Sequence, residues 1–231
     1  MQSYLLTATM TGDAGLSSVR QQLRDVMFAT HAGRILIPQC GAALLIAILS
    51  IAGASRYLVG ASAVSFLLLS VFRAATGHAS SDGDFALREW VQWMHLVSMG
   101  MWSGGVIVAG ILSLAQDRVT ISHRPATRLS RQATVALCFV LLSGVANIWL
   151  GSGGAIGQIP ASGWGRILIA KLVLVLVVLG LGFANRRLID RLQADATIAP
   201  KLERTIRYES LIMVAILFLS GWLAATPPIG E

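Results

Sequence analysis

The stretch GHASSDGDFALREWVQWMHLVSMGMWSGG, residues 77–105, decides how the rest of the chain is arranged. It holds two of the chain's four histidines, a short acidic loop and a run of Met and Trp, and an apolar segment lies on each side. We interpret it as the end of one membrane helix, a loop at 80–84, and the first half of the next helix. His78 and His95 are then expected at the same side of the membrane.

Three residues of this stretch share one helical face, because His95, Met99 and Trp102 are spaced i, i+4, i+7. An imidazole and a thioether one turn apart suit a soft or borderline metal, copper above all. The structural alternative is that Met and Trp fill gaps between helices while His95 hydrogen-bonds a backbone carbonyl. The metal ligands predicted on this side of the membrane are His31, His78, His95 and Met99.

The composition indicates a polytopic membrane protein. Hydrophobic residues make up 55% of the 231 residues, charged residues only 13%, and the mean hydropathy is +0.70. Several segments reach the roughly 20 apolar residues needed to cross a bilayer, and their uninterrupted length favours helices over a barrel. The predicted fold class is therefore all-α: a transmembrane bundle of about six spanning helices with a short N-terminal amphipathic helix.

The domain organisation follows from the hydropathy pattern. We expect residues 1–30 to form the amphipathic, interfacial segment and residues 31–228 to form one transmembrane domain. No basic start followed by an apolar run is present, so no cleavable signal peptide is expected. The predicted spans are about 34–54, 58–76, 87–115, 133–150, 166–183 and 210–225.

The distribution of positive charge predicts the orientation. The net charge of +7 comes from Lys and Arg gathered in two basic stretches, at 116–131 and 184–209. Such stretches favour the cytoplasmic side of a membrane, which explains the charge without a nucleic-acid partner. The loop after residue 76, the Gly-rich loop at 151–163 and the C-terminus are then expected on the opposite side of the membrane.

A partial internal repeat is visible between the first and the fifth span. The sequence GRILI at 33–37 recurs at 165–169, and 69–76 recurs loosely as 219–226. Spans one and two therefore resemble spans five and six, as in transport folds built from parallel repeats. Spans three and four would then need partner spans before the first one, so we expect either that two initial helices are missing here or that the duplication was never complete.

Several polar and small residues within the apolar segments carry their own expectations. Lys171 is expected to extend to the headgroups, or, if it points into the bundle, to repel a cation or pair with a carboxylate. Glu209 is expected to pair with Arg207 or a neighbouring arginine. Cys40 and Cys138 lie in apolar segments, so no disulfide is expected. The glycines expected to allow close helix packing are Gly104, Gly105 and Gly110.

Taken together, these residues resemble the copper resistance protein D (CopD) family. The matching features, in chain order, are Gly77-His78-Ala79, His95-Leu96, WSGG at 102–105, SGVANIW at 143–149, Gly165-Arg166 with Lys171, Asn185-Arg186, Arg207 with Glu209, and Pro227-Pro228. The resemblance implies a bacterial inner-membrane protein that moves copper between periplasm and cytoplasm, often beside a CopC-like periplasmic copper-binding protein. It also implies His78 and His95 as copper ligands. The family's initial helix pair is absent from this sequence, so we expect a short form or a fragment.

Two other functions are compatible with the sequence. A haem-binding electron carrier would place histidine pairs deep in facing helices, and only His95 is at all deep. A copper assembly factor that does not transport would share the same ligands. No enzyme is expected, because the sequence holds no nucleotide-binding loop, no CxxC and no HExxH motif.

Overall fold

The computed structural model describes residues 28, 30–53, 55–75, 86–114, 123–152, 156–192 and 194–226. The predicted amphipathic helix within 1–30, the acidic loop at 80–84 and the Pro227-Pro228 pair lie outside this part of the chain. The helices, in chain order, are α1 (His31–Ala52), α2 (Arg56–Ala75), α3 (Leu87–Leu114), α4 (His123–Gly151), α5 (Gly163–Leu192) and α6 (Ala199–Ala224), with short 3-10 helices at Ile156–Ala161 and Ala196–Ile198.

All six α-helices are long and apolar enough to cross a membrane, which confirms the predicted multi-pass bundle. Three of them exceed their predicted spans at the basic stretches: α4 begins at His123, α5 ends at Leu192, and α6 begins at Ala199. The described residues 123–131, 184–192 and 199–209 are therefore helical, although the predicted span limits place them between spans. At 1.5 Å per residue, the 29 residues of α4 measure about 43 Å, against about 30 Å of hydrocarbon. Hydropathy marks only the part of a helix in hydrocarbon, while the arginine-rich ends continue as helix beyond it.

The described helices present an apolar surface and keep several polar groups inside. Large hydrophobic side chains such as Leu142, Phe218 and Leu176 are exposed, as expected where lipid rather than water is the solvent. Small hydroxyl side chains and a few larger polar ones are buried instead. The buried polar residues are Gln39, Ser65, Ser70, Ser98, Ser103, Ser113, Ser143, Ser152, Asn185 and Glu209.

The chain divides into two compact units, residues 1–93 and residues 94–231, with the boundary inside α3. In the first unit α1 packs against α2. The connection between them is short, and Gly53 turns the chain with a φ of +125°, a conformation that L side chains rarely adopt.

The second unit has a core of apolar side chains drawn from four helices. Met99 and Val106 of α3 meet Val140 of α4, Val178 of α5 and Met213 of α6 in one buried cluster. This cluster occupies the centre of the unit. A second buried cluster, which includes Leu202, lies towards the end that carries the basic stretches.

Two of the three glycines expected to permit close packing do so. A Cβ at Gly110 would overlap the side chain of Ser210 on α6, and one at Gly105 would stand 2.7 Å from Leu129 Cδ1 on α4. At Gly104 the prediction was wrong, because a Cβ there would meet nothing within 4 Å. Glycine at 105 and 110 therefore sets how closely α3 approaches α4 and α6.

The two GRILI segments begin their helices in the same way. Thr30 Oγ1 accepts a hydrogen bond from the Gly33 amide at 3.0 Å, and Ser162 Oγ accepts one from the Gly165 amide at 2.9 Å. A hydroxyl side chain thus caps the third backbone amide at the start of α1 and of α5. This common start agrees with the predicted repeat, which itself stays a prediction.

The connection between α5 and α6 is held by Asp195. Its carboxylate accepts hydrogen bonds from the Thr197 hydroxyl at 2.6 Å and from the Thr197 amide at 2.9 Å. The hydroxyl bond, followed by the amide bond, lowers the pKa of Asp195 below its ordinary value. The turn that joins α5 to α6 therefore has its own local hydrogen bonds.

Candidate functional site

The predicted face of α3 points into the second unit. Met99 and Trp102 are 6% and 3% exposed and belong to the central cluster, and His95, one turn before Met99, is partly buried. The imidazole and the thioether therefore lie on the bundle side of α3. This confirms the shared face that the i, i+4, i+7 spacing predicted.

His95 is held by Ser143 of α4, whose Oγ lies 3.0 Å from His95 Nδ1. The Ser143 hydroxyl donates its proton to the Phe139 carbonyl, with the Val140 carbonyl 3.3 Å away. A hydroxyl has one proton to donate, so with that proton directed at the Phe139 carbonyl the arrangement that satisfies both contacts has Nδ1–H of His95 donating to Ser143 Oγ. In this tautomer the other ring nitrogen, Nε2, keeps its lone pair, the form that binds a metal.

The expected alternative was a hydrogen bond from His95 to a backbone carbonyl. The partner of His95 Nδ1 is instead the Ser143 hydroxyl, at 3.0 Å, which fixes the ring against α4. The adjoining Gly144 leaves room for it, since a Cβ at 144 would lie 3.5 Å from His95 Cε1, an ordinary contact.

Lys171 of α5 lies on the same side of the predicted topology as His95, and its side chain is partly buried. Of the two sequence expectations for Lys171, partial burial agrees with the one that turns it towards the bundle. A positive charge here opposes a bound cation and therefore limits how tightly His95 can hold one.

The structure describes the side chains of two of the four predicted ligands. His95 and Met99 lie together in the second unit. His31 begins α1, its side chain is not among those described, and His78 lies outside the described residues. Among the residues that are described, no three His, Cys, Asp or Glu side chains come together as a metal site. Cys40 and Cys138 are free thiols, as expected.

A second polar group lies near the basic end of the second unit. Asn185 Nδ2 of α5 donates a 2.6 Å hydrogen bond to Glu209 Oε2 of α6, and the Thr205 hydroxyl donates to Asn185 Oδ1. Glu209 and Asn185 are 7% and 5% exposed. The prediction that Glu209 pairs with Arg207 was wrong. The two residues are two positions apart on α6, so they point in different directions.

Arg207 instead joins α6 to α3. Its Nε donates to Ser113 Oγ at 3.1 Å, its Nη2 donates to the Ser113 carbonyl, and Nη2 lies 4.0 Å from Glu203. The Ser113 hydroxyl in turn donates a 2.7 Å hydrogen bond to the Gly110 carbonyl. The guanidinium thus satisfies backbone and side-chain acceptors at the end of α3.

A cavity of about 420 Å³ opens beside Glu209. Its walls come from α3, α4, α5 and α6 and are mostly apolar, with Trp102 and Val106 at one end. The polar lining residues are Ser130, Thr134, Asn185, Arg186 and Glu209.

Sequence reasoning found His95 and Met99 but missed Ser143 and the Asn185–Glu209 pair. Ser143 lies in the motif SGVANIW, and Asn185 lies in the motif Asn185-Arg186. A serine in an apolar helix has many local uses, so its pairing with a histidine 48 positions away needs the packing of α3 on α4 to be known.

Comparisons with known proteins extend this description. Residues 124–223 match the family model for copper resistance protein D. The chain is 29% identical over 171 residues to copper resistance protein D of Pseudomonas syringae pv. tomato, covering 67% of this chain and 54% of that protein. It is 26% identical over 215 residues to copper transport protein CutJ of Bacillus subtilis (strain 168), covering 89% of this chain and 38% of that protein.

The chain thus spans about half, or less, of the length of these two relatives. No solved structure matches it.

Proposed function

We propose that the chain is a member of the copper resistance protein D family, whose model matches residues 124–223, and that it binds copper and carries it across the bacterial inner membrane. The names of the two relatives describe copper resistance and copper transport rather than catalysis. The six spanning helices supply the membrane setting that such a function requires. The transmembrane domain of this proposal is residues 31–228.

The observation that carries the proposal is the hydrogen bond between His95 and Ser143 beside the buried Met99. It presents a neutral imidazole, with Nε2 free, one turn from a thioether. These are the soft and borderline donors that copper prefers, and a buried position protects the bond from competing water. The Ser143 hydroxyl orients the ring in the way that second-sphere partners orient metal-binding histidines.

His78 and His31 complete the proposed ligand set. Both follow from the predicted topology, which puts them on the side of the membrane where His95 lies. The distribution of arginine supports a periplasmic position for that side. A CopC-like periplasmic protein is the proposed donor of copper to this set.

The test is copper binding by the purified full chain, with and without the ligands. Wild type is expected to bind copper, and the double variant His78→Ala/His95→Ala is expected to lose it. His123→Ala is the matched control, because His123 begins α4 at the basic end and is not in the proposed set. Unchanged stoichiometry in the double variant rejects the site.

Two further measurements separate the competing functions. An optical spectrum with haem bands from the purified protein would support an electron carrier instead. Copper uptake into proteoliposomes distinguishes transport from assembly, because a carrier changes the trapped copper and an assembly factor does not.

A further inference from the structure

The carboxyl group of Glu209 is not among the proposed copper ligands, yet it is buried in a helix that is long and apolar enough to span a membrane. Its Oε2 is bound by Asn185 Nδ2 at 2.6 Å, and Asn185 is in turn bound by Thr205. In the described part of the chain, no Lys, Arg or His forms an ion pair with Glu209. A carboxyl group inside a membrane is costly and therefore marks a functional position.

The second oxygen of Glu209, Oε1, lies beside Gly182 of α5, where a Cβ would stand 3.5 Å from it in an ordinary contact. Both residues line the cavity of about 420 Å³, and the described atoms provide no hydrogen-bond partner for Oε1. Since a water molecule occupies about 30 Å³, the cavity has room for several beside this oxygen.

The cavity also reaches the surface of the unit. Arg186 lines it and is exposed, while its Nη1 donates to Thr134 Oγ1 of α4 at 3.3 Å. Arg186 belongs to the basic stretch that follows the apolar part of α5. The cavity therefore connects Glu209 with the basic end of the unit.

Among the described residues, few charged side chains lie around Glu209. On α5, Arg186 faces the same cavity. On α6, Arg207 is turned towards Ser113 and Glu203. Those described residues of α3 and α4 that line the cavity are uncharged. Within the part of the chain that the structure describes, Glu209 thus has one cation in its cavity and forms no ion pair that would hold it permanently ionised.

We propose that Glu209 is a proton-exchange site, at which Oε1 takes up a proton from water in the cavity and returns it there. Asn185 holds Oε2 in both states, because its amide can donate to a carboxylate or to the carbonyl oxygen of a carboxylic acid. No other bond forms or breaks.

Proton exchange at Glu209 is placed to accompany copper transport, an inference that rests on the proposed function. Ser210, next to Glu209, packs on Gly110, and residues 95 to 110 of α3 span about 22 Å along the helix axis. The central apolar cluster fills the interval. Proton exchange at one end can thus accompany copper capture at the other, and transport is expected to depend on pH through Glu209.

The direct test is infrared spectroscopy of the purified full chain in lipid during a pH titration. Wild type is expected to show the C=O stretch of a protonated carboxyl, which disappears reversibly as the pH rises. Glu209→Gln, which keeps an acceptor for Asn185, is expected to lack this band. The proposal is overturned if no band differs between the two proteins at any pH, or if the Glu209 band never responds to pH.

Glu203→Gln is the matched control, because Glu203 lies on the same helix near Arg207 and is expected to leave the band intact. Should Glu209→Gln fail to fold, solid-state NMR of wild type with labelled glutamate carboxyls reports the same protonation without any substitution. Copper binding separates the two proposals. Failure of copper binding with a titrating Glu209 rejects only the copper proposal, and copper binding without a titrating Glu209 rejects only this one.

Discussion

The two ends of the second unit hold their polar groups by opposite means. At one end the imidazole of His95 is held by a hydrogen bond with the Ser143 hydroxyl, and Lys171 lies at the same end. At the other, Glu209 is an acid held by a neutral amide, with Arg186 across a cavity. Apolar residues separate them. The difference suggests that the first end receives a cation and the second handles a proton.

The largest expected effect comes from removing the imidazole. His95→Ala should weaken copper binding by at least about a hundredfold, because the nitrogen donor is lost and no neighbouring side chain replaces it. Isothermal titration of the purified protein measures this. Glu209→Gln is the comparison at the far end and should leave copper affinity unchanged; equal losses in both variants would show that the ends are not separate.

The next effect concerns stability at the Glu209 end. Asn185→Leu leaves a buried carboxyl without its donor and should destabilise the protein by about 1–3 kcal/mol. Thermal unfolding in detergent measures the loss. The double variant Asn185→Leu/Glu209→Leu should recover part of it, because no buried polar group is then left unpaired. If the double variant loses as much stability as the two single variants added together, this explanation is contradicted.

A smaller effect is expected from loosening the imidazole rather than removing it. Ser143→Ala should lower copper affinity about ten- to hundredfold, the range seen when a histidine ligand loses its second-sphere partner. Ser143→Thr keeps the hydroxyl and should restore binding. Ser103→Ala, a buried serine of α3, is the control. Nitrogen-15 NMR of His95 should also show loss of the fixed Nδ1–H tautomer in Ser143→Ala.

The smallest effect should be an improvement. Lys171→Gln removes a positive charge near the proposed site and should raise copper affinity by about fivefold, or about 1 kcal/mol. Competition titration against a chelator of known affinity resolves such a change. Lys201→Gln, an exposed lysine of α6, should have no effect. Weaker binding in Lys171→Gln would mean that the lysine supports the site.

The sequence predicted the number of spans, the shared face of His95, Met99 and Trp102, and the close packing at Gly110. These follow from hydropathy and helical period, which are local properties of the chain. The ends of α4, α5 and α6 were missed, because an arginine-rich segment can remain helical outside hydrocarbon. Ser143 and Asn185 were missed as partners, because their hydrogen bonds join helices whose relative register no local pattern contains.

The central claim is that copper is bound by the imidazole of His95 together with the thioether of Met99. X-ray absorption at the copper edge, on full chain loaded with one equivalent of Cu(I), tests it most directly. Wild type should show both an imidazole and a sulfur contribution, and Met99→Leu should lose the sulfur while His95→Ala should lose imidazole intensity. A sulfur contribution that persists in Met99→Leu, together with imidazole intensity unchanged in His95→Ala, would contradict the account.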